Sequence, residues 1–418
     1  MKISKQTSSW EFKFKKMKNK TSIIHLINFL VITMFLGSCD GQNSSEENIS
    51  ASYKRFRDSK LRYEKFNEFL TDFKFSEIEG IGYEEGATRR DPSSIIKVDS
   101  LYYVWYTRPQ KNTNVVGRRE ANDTARAYHW DLSDIWYATS KDGYKWTEKG
   151  IAVKRGEKGR FDARTVCTAD ILVANNKYYL FYQAAGTLEQ GRIPSGKFGG
   201  DFLSNKIGMS WASNPNGPWQ SMDEPILEVG APDQWDGNVV HDPSLIVRGG
   251  KYWMYYKSSP RTPYIVENLK GDVFSKKYGD IVNAWGVAVA DNPEGPYIKS
   301  NYNPVVVGGH EVIVWPFKNG VCAFVSEGPE SHSIQFAEDG VNFHPVAHGL
   351  KKPEAAGFYR PGNFTDTDSL PGQGVTWGLS HVLGDWNYLR RVDCDLSLGK
   401  AEKVNATYQQ TIDWMNKK

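Results

Sequence analysis

Apolar and polar positions along this chain alternate in short runs instead of recurring at helical spacing. Four stretches repeat one design: an acidic residue, an apolar run of strand length, a tight turn, and a second run rich in aromatics. Asp91 opens D-P-S-S-I-I-K-V-D-S-L-Y-Y-V-W-Y-T, Asp170 opens D-I-L-V-A-N-N-K-Y-Y-L-F-Y-Q, Asp242 opens D-P-S-L-I-V-R-G-G-K-Y-W-M-Y-Y-K, and Glu311 opens E-V-I-V-W-P-F-K-N-G-V-C-A-F-V-S. The turns D-S, N-N, G-G and K-N-G suit β-hairpins. Each unit continues into a further strand, a D-G or N-P-x-G-P turn and an aromatic residue. A weaker fifth unit starts at G-V-T-W-G-L-S-H, residues 374–381. The leading acids lie 79, 72 and 69 residues apart.

Four strands per unit in about five units predict an all-β fold, a five-bladed β-propeller. The strand entering each blade is the innermost, so the leading acids are expected to converge at one rim of a central channel. Ser52 to Phe75 is charged and aromatic with few turn residues, and predicts an N-terminal amphipathic helix or helix pair. The expected organisation is a signal over 1–38, a polar tether over 39–51, a helical segment over 52–85 and the propeller over 86–418.

Composition sharpens this picture. Aromatics make up 13% of the chain, with 14 Trp, 22 Tyr and 20 Phe, and 38 Gly supply turns, which favours a β protein over a helical bundle. The formal charge of +3 misleads, because residues 1–38 hold seven Lys and one Glu. Without them 45 basic residues face 48 acidic ones, a net of −3. No basic stripe interleaved with aromatics is present, so a nucleic-acid partner is not expected.

Lys13, Lys15, Lys16, Lys18 and Lys20 precede an apolar run, Ile23 to Leu36, that ends in L-G-S-C at Cys39. The run is interrupted by His25 and Asn28 and is short for a membrane span. It reads as an export signal whose end resembles the lipobox of bacterial lipoproteins, with Met17 as an alternative start. The expectation is a periplasmic or cell-surface lipoprotein that touches the membrane only through its lipid anchor. Cys167, Cys322 and Cys394 are odd in number and widely spaced, which fits small buried hydrophobes better than disulfides or a metal site.

Candidate chemistry sits at the blade openings. Asp91, Asp242 and Glu311 at equivalent rim positions form a carboxylate cluster suited to glycosidic cleavage, which needs a proton donor on the leaving oxygen and a base or nucleophile across the anomeric carbon. Asp170 holds the second such position without the D-P context, as catalytic support, substrate ligand or structure. His241 and His310 each precede an acid. Neighbours on a regular strand face opposite ways, so His310 and Glu311 reach one pocket only if Gly308 and Gly309 bend the backbone. A histidine near its ordinary pKa is a serviceable general acid. Trp130 in Y-H-W-D, Gln183 in Q-A-A-G and Trp235 in D-Q-W-D-G-N are candidate sugar contacts, and the loop 186–203 is a candidate cover.

The openings R-R-D-P-S, V-H-D-P-S and G-G-H-E-V, behind an N-terminal helical segment, resemble glycoside hydrolase family 117, the α-1,3-(3,6-anhydro-L-galactosidases). The resemblance covers about residues 52–400. It implies an inverting, exo-acting enzyme on galactan-derived oligosaccharides of agar, with Asp91 as the base activating water and His310 as the acid. Asp242 and Glu311 complete the charged pocket, and the resemblance further implies a homodimer through the N-terminal helices. One departure is the segment N-L-K-G-D-V-F-S-K-K-Y-G-D before Glu311, which looks longer than in members active on neoagarobiose. Alternatives are a family-43-like arabinanase or xylosidase using three carboxylates without histidine, and a lipoprotein that binds glycans without cutting them. No cofactor is assigned. A divalent cation in the channel, as some propeller glycosidases hold, is left open, with no ligands that the sequence names.

Overall fold

The computed structural model describes residues 48–57, 69, 71–111, 114–117, 120–186, 205–260, 283–360 and 371–398. The signal, Cys39 and nearly all of the tether lie outside the described residues, as do the loop 187–203 and the segment 261–282.

Among the described residues the strands fall into four antiparallel sheets. A short strand β1 (Lys74–Ser76) comes first in sequence. The first sheet follows as a meander of β2 (Ile96–Val98), β3 (Leu101–Pro109), β4 (Ser133–Ser140) and β5 (Trp146–Val153). The second repeats it with β6 (Thr165–Ala174), β7 (Lys177–Ala185), β8 (Lys206–Ala212) and β9 (Gln220–Ser221). The third contains β10 (Val239–Arg248), β11 (Lys251–Ser259), β12 (Ala284–Ala290) and β13 (Ile298–Lys299), with β14 (Val306–Val307) beside β12. The last holds eight strands: β15 (Val314–Lys318), β16 (Gly320–Val325), β17 (Ser333–Ala337) and β18 (His344–Ala347), joined through β15 to β20 (Gly372–Val382), which carries β19 (Gly357–Phe358), β21 (Tyr388–Ser397) and β1.

The hairpin turns fall where Asn175–Asn176 and Gly249–Gly250 supply the left-handed backbone that tight turns demand. The second strand of each unit buries large aromatic side chains on its way through the core. Trp105, Tyr182, Tyr255 and Tyr256, each fully buried, are the visible result.

One expectation is corrected in part. Among the described residues of the segment 52–85, α1 (Ala51–Arg57) is helical and the part from residue 71 onward is β1 with turns, while 58–68 and 70 lie outside the described residues. The local pattern Phe73-Lys74-Phe75-Ser76 has the period of a strand, not a helix. Phe73 packs edge-on to Phe324, and Phe75 lies under the Arg390 guanidinium. Helix α1 is capped by Ser50, whose Oγ accepts from Tyr53 N at 3.1 Å, and is pinned by a two-pronged Arg55–Glu330 ion pair of 2.6 and 2.9 Å.

Candidate functional site

The first strands of successive sheets stand around one small cavity of about 40 Å³, lined among others by Asp91, Thr168, Asp170, Asp242, Glu311 and Arg360. That volume holds a few water molecules and no sugar ring. A sugar therefore has to bind at the mouth, where the carboxylates stand.

Matching the strand registers locates the rim position in each unit. Arg90 bridges Thr107, Cys167 pairs with Gln183, and His241 pairs with Lys257. A bulge follows the latter two pairs, and the next residue takes a left-handed backbone: Asp91 (φ 51°), Thr168 (φ 47°) and Asp242 (φ 51°). Such a bulge turns a side chain out of the pleat toward the cavity. In the eight-stranded sheet the matching residues are Glu311 and Ala355, the latter also left-handed at φ 41°.

This register corrects one assignment. Thr168, not Asp170, is the counterpart of Asp91 and Asp242. Asp170 sits two residues deeper and is a structural tie. Its Oδ1 accepts from Ser94 N at 2.9 Å, and its Oδ2 accepts from Leu245 N at 2.8 Å and from Ser244 Oγ at 3.2 Å. The Arg360 guanidinium stands 3.8 Å away and donates to Val314 O at 2.7 Å, to Ser244 Oγ and to Leu245 O. Asp170 and Arg360 thus tie four sheets together around the cavity.

Each remaining rim acid has its own cation. Asp91 is gripped by Arg90 Nε at 2.9 and 3.0 Å, faces His381 Nδ1 at 3.1 Å, and accepts from Thr168 Oγ1 at 3.3 Å. Burial pushes its carboxyl upward, but Arg90 and His381 outweigh that and hold it well below the usual carboxylate range. Asp242 pairs with the buried Lys257 and has His241 Nδ1 at 3.6 Å. Burial again acts upward on Asp242, and Lys257 with His241 overrides it, so it too stays ionised. Lys257 is in turn held above its ordinary value, because Asp242 and Glu311 outweigh its burial.

Glu311 lines the cavity with Asp91 and Asp242, and His310 beside it pairs with its carboxylate. Gly308 and Gly309 adopt φ of 110° and 80°, and a Cβ on Gly309 would stand 2.5 Å from the Trp285 ring, so the backbone bends there as only glycine allows. His310 Nδ1 lies 2.8 Å from Glu311 Oε1, while its ring remains 43% exposed beside an almost buried Glu311. The Glu311 carboxylate is the main reason that His310 is raised above its ordinary pKa. With Nδ1 on the carboxylate, Nε2 is the nitrogen left to carry a proton outward.

The aromatic candidates divide. Trp130 stacks on Tyr128 at 4.8 Å in a half-buried loop anchored by Asp131, which takes Arg164 at 2.6 and 2.8 Å and the Ala127 amide at 2.7 Å. That loop also carries His129, whose imidazole is lowered by burial and then by Arg90 and Arg126. Trp235 is core: it is buried and stacks on Tyr256, so its assignment as a sugar contact is corrected to packing between strands. Gln183 is buried at the end of β7, in register with Lys257 on β11 and Thr107 on β3. Lys257 and His381 are site residues that sequence reasoning misses. The available signal is a lone polar residue closing an aromatic strand, as in Y-W-M-Y-Y-K.

Among the described residues no three His, Cys, Asp or Glu side chains are grouped as metal ligands. The Arg360 guanidinium lines the cavity 3.8 Å from Asp170, so the residues present do not fit a channel cation.

No protein-family model and no curated protein matches the sequence. Among solved structures it is similar to Zg3597, a family 117 glycoside hydrolase produced by the marine bacterium Zobellia galactanivorans. The two share 37% identity, with a TM-score of 0.68 over 79% of this protein and 92% of that one. It is similar in fold to BT0996 in its RGII complex, at 12% identity and a TM-score of 0.52 over 78% of this protein and 93% of that one. The propeller-like fold is common to both, but the identity to Zg3597 over nearly its whole length goes further: this protein belongs to glycoside hydrolase family 117.

Proposed function

We propose that the protein is an exo-acting, inverting glycosidase that removes 3,6-anhydro-L-galactose or a related sugar from the non-reducing end of agar-type oligosaccharides. The observation that carries the reading is the partly exposed His310 paired with Glu311, which lines the same cavity as the two ionised aspartates. Asp91 takes a proton from a water molecule as its oxygen bonds to the anomeric carbon. His310 gives its Nε2 proton to the departing oxygen as the old bond breaks, and Glu311 stabilises the imidazolium beforehand. Lys257 keeps Asp242 charged beside the developing oxocarbenium ion. The same proposal takes the sheets as five blades, with the rim residues Asp91, Thr168, Asp242, Glu311 and Ala355 one to a blade. Export as a lipoprotein through Cys39, which would place the enzyme where oligosaccharides arrive, and pairing of two copies through the N-terminal segment belong to the same proposal.

The test is product analysis over agar- and carrageenan-derived oligosaccharides beside arabinan and xylan fragments, with the anomer followed by proton NMR. Release of a terminal sugar with inverted configuration is expected. Retention of configuration rejects Asp91 as base, and glycan binding without product rejects catalysis. Turnover that survives His310→Gln assigns proton donation to Glu311, the arrangement of a three-carboxylate enzyme.

A further inference from the structure

Among the left-handed rim residues Thr168 is the β-branched one, and its side chain fits that backbone badly. At φ 47° a β-branched residue crowds its own carbonyl, a conformation that glycine, asparagine or aspartate adopts far more readily. The backbone hydrogen bond at this point runs from Thr168 N to Thr107 Oγ1 at 2.8 Å, and any residue supplies that amide. What threonine adds is the hydroxyl, 3.3 Å from Asp91 Oδ2 on the neighbouring sheet.

The contacts on Asp91 give this hydroxyl a task. Arg90 reaches both carboxylate oxygens from the adjacent position in the sequence, and His381 reaches Oδ1 from β20. Both partners grip the carboxylate without a tie to the second sheet. The Thr168 hydroxyl meets Oδ2 from that sheet and blocks rotation of the carboxylate plane. A general base has to keep a lone pair aimed at its water within a narrow cone. Backbone strain that persists at such a place is retained for function.

We propose that Thr168 is a positioning residue for Asp91, kept at a strained backbone for the sake of its hydroxyl. The inference rests on Asp91 acting as the base. The experiment compares Thr168→Val, Thr168→Ser and Thr168→Gly in the full chain, reading kcat, KM and Tm on whichever oligosaccharide the wild type cleaves. Valine keeps shape and strain but loses the hydroxyl, so kcat is expected to fall about ten- to a hundredfold at unchanged KM, the effect of losing one hydrogen bond to a charged group. Serine restores kcat. Glycine loses activity as valine does, yet melts at or above the wild-type temperature because the strain is relieved.

A valine variant with wild-type kcat overturns the positioning role, and so does a glycine variant that melts well below wild type. A wild type that cleaves nothing in the panel overturns the glycosidase reading and this role with it. An active wild type alongside an equally active valine variant overturns the role alone.

Discussion

Asp91 and Asp242 share a backbone twist but not a partner, and the difference sets what each substitution does. Asp91→Asn removes the negative charge opposite Arg90, which is 8% exposed and, among the described residues, has Asn387 Oδ1 at 3.4 Å as its further side-chain acceptor. Turnover is expected to fall about 10²–10⁴-fold, the usual contribution of a positioned base. The fold also loses about 3–5 kcal/mol through the uncompensated guanidinium, visible as a lower urea midpoint at unchanged m. Undiminished turnover removes Asp91 from the chemistry. His310 supplies a second prediction. Its pKa is raised chiefly by Glu311, so the protonated acid persists above the ordinary histidine range, and activity is lost as pH rises through that raised value. Glu311→Gln removes the largest upward influence and leaves Lys257 and burial pulling down. The basic limb of kcat/KM must then move to lower pH; a limb that stays put means another group is the acid.

At the scale of the strand, Asp170 shows both what the sequence carries and where it falls silent. The hairpins, their turns and the convergence of the acids follow from alternation and turn chemistry. The register error at Asp170 follows from the same alternation. A slip of one residue would have turned the whole apolar set to the wrong face, but a slip of two leaves every side chain on its own face. The hydrophobic pattern is therefore blind to it. Only the bulge between Cys167 and Asp170, closed in space by β7, fixes Thr168 as the counterpart of Asp91. The last opening, Glu354-Ala355, is hidden for a different reason: it puts no acid at the rim. Trp235 is not separable by pattern, because a core tryptophan and a sugar-stacking one share composition and differ only in what faces them. Asp170 itself carries a prediction. Asn has one acceptor oxygen where Asp170 serves Ser94 N, Leu245 N and Ser244 Oγ, and it removes the carboxylate charge beside the buried Arg360. Asp170→Asn should cost about 3–5 kcal/mol by chemical denaturation, and a loss within about 1 kcal/mol shows that the sheets do not depend on this carboxylate.

At the scale of the whole molecule, two ties hold the sheets in order around the cavity. Strand β1, from the N-terminal part of the protein, pairs with β21 at Lys74–Asp393, Phe75–Val392 and Ser76–Arg391, so the first and last described strands meet in one sheet. The second tie is the Arg360 guanidinium inside the channel. It donates to carbonyls of β10 and β15 and lies beside Asp170, supplying from the protein itself the positive charge that an oxygen-lined channel would otherwise draw from solution. A divalent ion placed there would meet a fixed cation at close range in a poorly hydrated space, where like-charge repulsion is strong. Dialysis against EDTA is therefore expected to leave both Tm and turnover unchanged, and added calcium to give no thermal shift. The informative comparison is Arg360→Met, which leaves Asp170 unpaired and destabilises the fold while making room for an ion. If the wild type melts earlier after EDTA and recovers with calcium, an ion is held in spite of Arg360. If only the methionine variant gains stability from calcium, the guanidinium has been standing in for the metal.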